Sequence, residues 1–346
     1  MNGDGAVRHM YVDELLVDAV RSGDQSAFAR LAEPYRRELQ VHCYRMLGSV
    51  EDAEDAVQET YLRAWARLAS FAGRAPFRAW LYGIATHACL DALRRKKARV
   101  WPTEQAGPAD PNSYVLAATE LPWLSPYPDR LLNAAGPADA EPEAVVTSKE
   151  TIELAFLAAI QRLPARQRAV LILRDVLDWS AKETGAALGM SQVAVNSALQ
   201  RAHARLGEHL SVDRGEWTSR SDATERALLQ RLIAAWERSD TAALVELLRG
   251  DARMVMPPAT LWFAGRDAIE TFLREHVFGE MGDGWRLLPT SANRQPAFAV
   301  YYRGPGESVY RQFGIGVLTV EDGAIAEMAL FQEPELFAPF ALPKAL

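Results

Sequence analysis

Residues 48–99 place two unlike sets of side chains next to each other. The stretch GSVEDAEDAVQETYLRAWARL (48–68) carries Glu51, Asp52, Glu54, Asp55, Gln58 and Glu59. Carboxylates repeated at three- and four-residue steps form one helix face, which suits a basic protein partner. The stretch APFRAWLYGIATHACLDALRRKKAR (75–99) carries Phe77, Trp80 and Tyr82, then Arg94, Arg95, Lys96, Lys97 and Arg99. Aromatic rings stack on unpaired bases and cations track phosphates, so this combination suits single-stranded or melting DNA. The plainer account is that Phe77, Trp80 and Leu81 are core and the cations form a solvated helix end. At least one of the aromatics belongs to the core, and the sequence does not say which.

A third set lies in residues 180–206. Ser180 with Glu183 three residues on forms a capping box, Gly189 permits a tight turn, and Ser191 caps a second helix. Val195, Ala198, Leu199, Ala202 and Leu206 form that helix's buried stripe. Gln192, Asn196, Ser197, Gln200, Arg201 and Arg205 are left outward. Amides, a hydroxyl and arginines suit a helix lying in a major groove. Arg201 and Arg205, with Arg166, Arg168 and Arg174 upstream, suit phosphates. The competing account is an ordinary αα-hairpin with a solvated polar face.

The elements that must position these groups follow from periodicity. Helices are expected over 11–22, 25–47, 50–71 and 76–99, and again over 148–163, 165–177, 180–188 and 192–210. Between them, residues 100–147 carry eight prolines and an acidic composition with Arg130 as the only cation, which reads as a linker. Leu121-Pro-Trp-Leu-Ser-Pro-Tyr-Pro-Asp129 keeps a Trp and a Tyr that a fully solvated linker would not need, so this segment docks on something. From residue 224 the order becomes helices at 224–239 and 241–248, a strand at 252–256, a helix at 267–278, then extended runs at 285–292, 298–303, 310–321 and 325–332. Helices first and strands afterwards imply an α+β domain.

At 346 residues and 49% hydrophobic, the chain is long enough for two or three domains. A formal charge of -7 excludes a uniformly basic DNA binder, so nucleic-acid binding must be local or assisted by a partner. Cys43 and Cys89 fall inside apolar helical patterns and read as buried thiols; there is no metal-binding spacing and no disulfide framework. The N-terminus lacks a signal pattern, and no apolar run reaches membrane-spanning length. The expectation is a soluble cytoplasmic protein without cofactor or metal.

The residues 43–65, CYRMLGSVEDAEDAVQETYLRAW, resemble the core-polymerase-binding segment of extracytoplasmic-function (ECF) sigma factors. Residues 77–95, FRAWLYGIATHACLDALRR, resemble the helix of that family that reads the promoter −10 element, and residues from 163 onward, LPARQRAVL, resemble its −35 domain. The similarity is colinear over about residues 11–210. His87 stands where the family more often has Asn. The long linker and the final domain resemble the SigG/SigJ type, which ends in a SnoaL-like cone similar to nuclear transport factor 2.

The resemblance implies a multidomain fold: two all-α sigma domains at 11–99 and 148–210, the second with a helix-turn-helix, joined by the linker 100–147 and followed by an α+β cone at 222–340. It implies a factor that binds core RNA polymerase through its β′ and β subunits and directs promoter-specific initiation, with no catalytic residue. Asp52, Asp55, Gln58 and Glu59 would face the basic coiled coil of β′. Arg74, Phe77, Trp80, Tyr82, His87, Arg94 and Arg95 would hold the −10 element, one base of it flipped into a pocket. Arg174, Gln192, Asn196, Ser197, Gln200, Arg201 and Arg205 would serve the −35 duplex. The acidic linker would thread toward the RNA exit path.

The SnoaL-like cone implies an apolar pocket, which Trp236, Trp262, His276 and Tyr301 could line. Asp251, Asp267 or His276 would be its acid or base, but no Asp–His dyad spacing is visible. The favoured role is therefore regulatory, beside or in place of an anti-sigma factor, with a small-molecule ligand as a further partner. A helix-turn-helix regulator, and a SnoaL-type enzyme with a DNA module, are the alternatives.

Overall fold

The computed structural model describes residues 19, 24–68, 71, 76–95, 99–113, 122–132, 152–209 and 222–346. Most of the helix expected at 11–22, the loop before Pro76 with Arg74, and Lys96 and Lys97 lie outside these residues. The chain forms two compact units, one drawing on Met1–Ala98 and Ala159–Ser211, the other on Arg99–Asn133, Glu141–Ala158 and Val212–Leu346.

The first unit begins with α1 (Gln25–Ala32), α2 (Arg36–Leu47), α3 (Val50–Arg67) and α4 (Phe77–Arg95). Asp24 caps α1, accepting from the Ser26 amide at 2.8 Å. The single helix expected over 25–47 is interrupted by a 3-10 turn at Glu33–Tyr35, where Pro34 removes a backbone donor. Gly48, at φ 69, closes α2, and Ser49 caps α3 by accepting from the Asp52 amide at 3.2 Å. A left-handed residue followed at once by a cap lets α2 and α3 turn back on each other. Leu39, Tyr44 and Met46 of α2, Ala53 and Val57 of α3, and Leu81 and Ala85 of α4 are all buried, and Cys43 and Cys89 are buried free thiols.

His42 ties α2 to α4. Its Nε2 lies 2.9 Å from Thr86 Oγ1, and that hydroxyl donates to the Tyr82 carbonyl at 2.7 Å. The hydroxyl proton is thus committed, so Nε2 carries hydrogen and Nδ1, which has no partner, is bare. Protonation would bury an N–H with nothing to accept it. Burial, with Arg45 and Arg78 nearby, lowers the His42 pKa from 6.5 to about 3. Below pH 6.5 the unfolded chain takes up a proton that the folded chain refuses, so stability falls with pH over that window. At pH 5 the loss should reach about 2 kcal/mol relative to neutral pH. Urea unfolding at pH 7 and pH 5, repeated on His42→Gln, checks it; an equal acid sensitivity in the variant would exclude His42 as the source.

The unit continues from Ala159, within α5 (Leu154–Gln161), through α6 (Ala165–Leu171), a wide turn at Ile172–Val176, α7 (Ala181–Leu188) and α8 (Gln192–His209). Arg168 is only 2% exposed. Its guanidinium donates to the carbonyls of Ile160 at 2.9 Å, Gln161 at 2.6 Å and Leu163 at 3.3 Å, to Gln161 Oε1, and to the Met46 carbonyl. Met46 is in the last turn of α2, while Ile160 and Gln161 end α5. Helix-end carbonyls, at the negative poles of two helix dipoles, thus take the place of a carboxylate. Burial lowers the Arg168 pKa to about 10, which leaves it charged at neutral pH. The phosphate-facing role expected for Arg168 is therefore corrected: it is an internal clamp.

The second unit is built on a sheet of β1 (Leu248–Val255), β2 (Trp262–Ala264), β3 (Trp285–Ala292), β4 (Gln295–Tyr302), β5 (Arg311–Glu321) and β6 (Ala324–Phe331) in the order β2-β1-β6-β5-β4-β3. Only β1 and β6 run parallel. Helices α9 (Asp222–Glu237), α10 (Thr241–Glu246) and α11 (Arg266–Phe272) accompany it. The three-residue β2 has too little alternation to be legible in the sequence. Asn293 and Arg294, at φ 57 and 60, turn β3 into β4; Asp322 and Gly323, at φ 50 and 75, turn β5 into β6. Two consecutive left-handed residues are what a tight hairpin needs.

Alternation along the strands divides the sheet into two faces. Phe298, Val300, Leu318 and Met328 join Leu232 and Trp236 of α9 and Phe272 of α11 in one core. The Phe298 ring lies over Gly316, its partner across the strands, where an added Cβ would come within 2.3 Å of the ring. Ala297, Ala299, Tyr301, Ile315 and Val317 alternate with these positions, and are also buried.

Candidate partner and nucleic-acid interfaces

On α3 the carboxylate face is largely open. Glu51, Glu54, Asp55 and Gln58 are exposed, whereas Asp52 is 8% exposed and does not belong to the open face. Glu59 accepts from Arg63 Nε at 2.6 Å, Arg63 reaches Asp91 of α4 at 2.8 Å, and Arg94 meets the same carboxylate at 2.9 Å. Arg63, and after it Arg94, hold the Asp91 carboxyl below its ordinary range. Leu62, an apolar side chain on a helix whose other apolar residues Val57 and Leu68 are buried, is 67% exposed. It follows Asp55 by seven residues, so the face carries an apolar side chain beside its carboxylates.

On α4 the aromatics divide. Phe77 and Tyr82 are buried, and Trp80 is half-buried. Phe71, Phe77 and Trp80 form a ring cluster with centroids 5.0–5.7 Å apart. Tyr82 sits under the Arg78 guanidinium at 4.9 Å, and its ring meets His42 and Trp179. His87 is exposed, with Nδ1 2.8 Å from the Gly83 carbonyl; Arg94 and Arg95 are exposed. Trp80, His87 and Arg94 succeed each other at seven-residue steps, which lines them along one helix face. Phe77 and Tyr82 are core, and Arg74 lies outside the described residues.

The helix-turn-helix forms as its local signals dictate. The Ser180–Glu183 capping box is complete, at 3.1 and 2.8 Å, and Gly189 is left-handed at φ 64. Ser191 caps α8, accepting from the Ala194 amide at 3.2 Å. Gly185 allows a close approach that sequence reading overlooked: a Cβ there would lie 2.5 Å from the Met190 carbonyl oxygen. Val195, Ala198, Ala202 and Leu206 are buried, while Gln192, Asn196, Gln200, Arg201 and Arg205 are exposed and Ser197 is half-buried. Arg205 donates to Gln167 at 3.1 Å. Arg174 donates to the Trp179 carbonyl, so it braces the turn before α7.

The four residues expected to line a pocket do not converge. Trp236 is in the core between α9 and the sheet. Tyr301 faces the other side, against Phe337 at 5.2 Å, and donates to the Pro343 carbonyl at 2.8 Å. Trp262 Nε1 donates to the Ala106 carbonyl at 2.9 Å. His276 lies 2.7 Å from Glu280 and 2.9 Å from the Pro111 carbonyl.

Ala106 and Pro111 belong to the proline-rich segment, whose described stretches dock as expected. The Trp101 ring meets Phe331 at 6.0 Å, and Trp101 also hydrogen-bonds Glu327. Asn293 in the β3–β4 turn accepts from the Tyr127 amide at 2.7 Å, donates to the Ile152 carbonyl at 2.7 Å, and gives its own amide to the Tyr127 carbonyl at 2.9 Å. Asp129 accepts from the Arg294 amide at 2.8 Å. Trp101, Trp123, Leu124 and Tyr127 are all buried. Among the described residues no helix is long and apolar enough to cross a membrane, and no group of His, Cys, Asp and Glu could hold a metal ion.

Three parts of the chain match known families: Sigma-70 region 2 over residues 31–99, Sigma-70, region 4 over 153–206, and the SnoaL-like domain over 229–328. The ECF RNA polymerase sigma factor SigG of Mycobacterium tuberculosis (strain ATCC 25618 / H37Rv) is 43% identical over 328 residues, 94% of this chain and 86% of that protein. The ECF RNA polymerase sigma factor SigW of Bacillus subtilis (strain 168) is 32% identical over 197 residues, 56% of this chain and 94% of that one. The crystal structure of the Mycobacterium tuberculosis extracytoplasmic function sigma factor SigJ shares the fold, with a TM-score of 0.57 at 23% identity over 89% of this chain and 97% of that one. Neither a stand-alone regulator nor an enzyme with a DNA module is favoured by these relatives. With the two helical domains in order and the mixed-sheet domain after them, the chain belongs to the ECF RNA polymerase sigma factors, in the form that ends in a SnoaL-like domain.

Proposed function

We propose that this sigma factor docks on core polymerase through Glu51, Asp55, Gln58 and Glu59 of α3, holds the −10 strand on the Trp80–His87–Arg94 face of α4, and reads the −35 duplex with α8. The helices assigned to the two readers touch each other. Tyr82 of α4 meets Trp179, just before α7, with ring centroids 5.9 Å apart, and a Cβ on Gly83 would lie 3.7 Å from Ala187 Cβ. Elements named −10 and −35 are about 25 base pairs apart, or about 85 Å of duplex. Two readers in contact cannot reach both, so α4 and the helix-turn-helix must part before initiation. This also suits a free factor that binds DNA poorly and a polymerase that supplies much of the basic surface.

The SnoaL-like domain acts as a holder of the linker. The described stretches of the segment that would thread toward the RNA exit path, 99–113 and 122–132, are instead held by the SnoaL-like domain, with Asn293 as the hub for Tyr127. Holding it there restrains the factor, and releasing it admits the segment to the polymerase. Asn293→Gly is the clean test, because glycine keeps the left-handed turn while deleting the side-chain hydrogen bonds to Tyr127 of the linker and to Ile152 just beyond it. Loss of two buried bonds, about 1–3 kcal/mol, should speed amide exchange across residues 122–130 by about tenfold or more. With core polymerase and a cognate promoter, the variant at limiting concentration should give more promoter-specific transcript than the unaltered chain. Faster exchange with unchanged or lower transcription would overturn the restraining role. No promoter-specific transcription by either chain would overturn the whole assignment.

A further inference from the structure

Four large apolar side chains stand exposed among the described residues: Leu62, Val193, Val309 and Leu346. Leu346 is in the C-terminal segment, and Val309 lies in the β4–β5 loop. Leu62 lies on the face assigned to polymerase. Val193 is the most exposed, at 76%, in the first turn of α8. A β-branched residue at an open helix position gains nothing from burial and is a weaker helix former than alanine. Local folding therefore gives no reason for it.

Its neighbours supply one. Asn196, Ser197 and Gln200 follow Val193 at three, four and seven residues, so the four side chains share one outward stripe. Gln192 precedes it, and the exposed Arg201 and Arg205 lie farther along the helix. In the major groove the donor–acceptor patterns of bases are met by amides, which pair with the N6/N7 edge of adenine, while the one apolar feature is the thymine methyl. A stripe of amides with one bare isopropyl group, flanked by cations for phosphates, matches an A·T-containing site.

We propose that Val193 is a specificity residue of the −35 reader, covering the C5-methyl of a thymine. Asn196, about 4.5 Å further along the helix axis, is offset by about one base-pair step, so the adenine it reads lies in the neighbouring pair. The inference rests on α8 being the −35 helix and goes further, in naming the base and the group that reads it. Burying one methyl group corresponds to about 0.8 kcal/mol, or about fourfold in affinity.

The test uses the full chain assembled with core polymerase. A promoter pool randomised across the −35 region is selected with the wild-type chain and with Val193→Ala. The wild type should enrich thymine at one position, and the variant should lose that preference while keeping the others. On the selected promoter, that thymine is then replaced by deoxyuridine, which removes only the methyl. The wild type should bind about fourfold more weakly, and Val193→Ala should bind both promoters equally. If the variant keeps the thymine preference, or loses as much on deoxyuridine as the wild type, Val193 does not read the methyl. If neither holoenzyme enriches any −35 sequence, α8 is not the −35 reader and both statements fall together. Circular dichroism of the variant, at an exposed position, should match the wild type and separates misfolding from lost recognition.

Discussion

Replacing Arg168 with alanine should destabilise the first unit by about 3–5 kcal/mol, the range seen when one member of a buried polar network is removed. The reason lies in what the guanidinium satisfies. Its carbonyl partners are end groups of two helices, plus Leu163 just after the second. Without the arginine these acceptors stay buried; Ile160 keeps the Leu163 amide at 3.1 Å, and each of the others left without a donor costs about 1–3 kcal/mol unless water enters the space. Gln161 makes the loss cooperative, since its Oε1 accepts from Arg168 while its Nε2 donates to the Arg45 carbonyl at 3.2 Å. Arg168→Lys should recover only part of the deficit, because a single ammonium cannot fork toward acceptors on both helices. Thermal unfolding followed at helical wavelengths reads the effect: a fall of about 10 °C for alanine, and less for lysine. An alanine variant within about 1 kcal/mol of the parent would show that the carbonyls are satisfied by other means.

Arg168 also marks the limit of sequence reading. Its neighbours suggested a phosphate contact, because an arginine beside a helix-turn-helix ordinarily has one. Nothing local predicts that one of its acceptors is the Met46 carbonyl, 122 residues earlier in the chain, which is what joins the two helix ends. Where the deciding interactions were local, the sequence was legible: the Gly48–Ser49 break, the Ser180–Glu183 box and the Gly189 turn all form as their residue types require. Where partners were distant, it was not. The Trp and Tyr of the linker signalled that the segment docks, but not that Asn293 receives it. The aromatics of α4 signalled both core and surface, and only packing assigns Phe77 and Tyr82 to one and Trp80 toward the other. Leu62 went astray for a related reason: periodicity counts an apolar residue as buried, and a binding face breaks that rule.

Asp55→Lys should weaken binding of the chain to core polymerase by at least about tenfold, equivalent to about 1.4 kcal/mol, while leaving the fold intact. Asp55 is the better site for this than Glu59. It is exposed, so its replacement changes stability by less than about 0.5 kcal/mol. Glu59 is bonded to Arg63, which bridges to Asp91 of α4, so a lysine there would disturb the contact between two helices as well as the open face. A loss produced at Asp55 alone therefore reports on the partner and not on the fold. Because the interaction is between exposed charges, the wild-type affinity should fall with added salt, and the gap between wild type and Asp55→Lys should narrow as ionic strength rises. Leu62→Ala, seven residues on, should add a loss that salt does not screen, since it removes apolar contact and not charge. Asp283→Lys, on an exposed loop of the second unit, makes the same change in net charge and should leave binding unaltered. Equal weakening by Asp55→Lys and Asp283→Lys would mean that polymerase senses the overall charge of the factor, and would remove α3 as the docking helix.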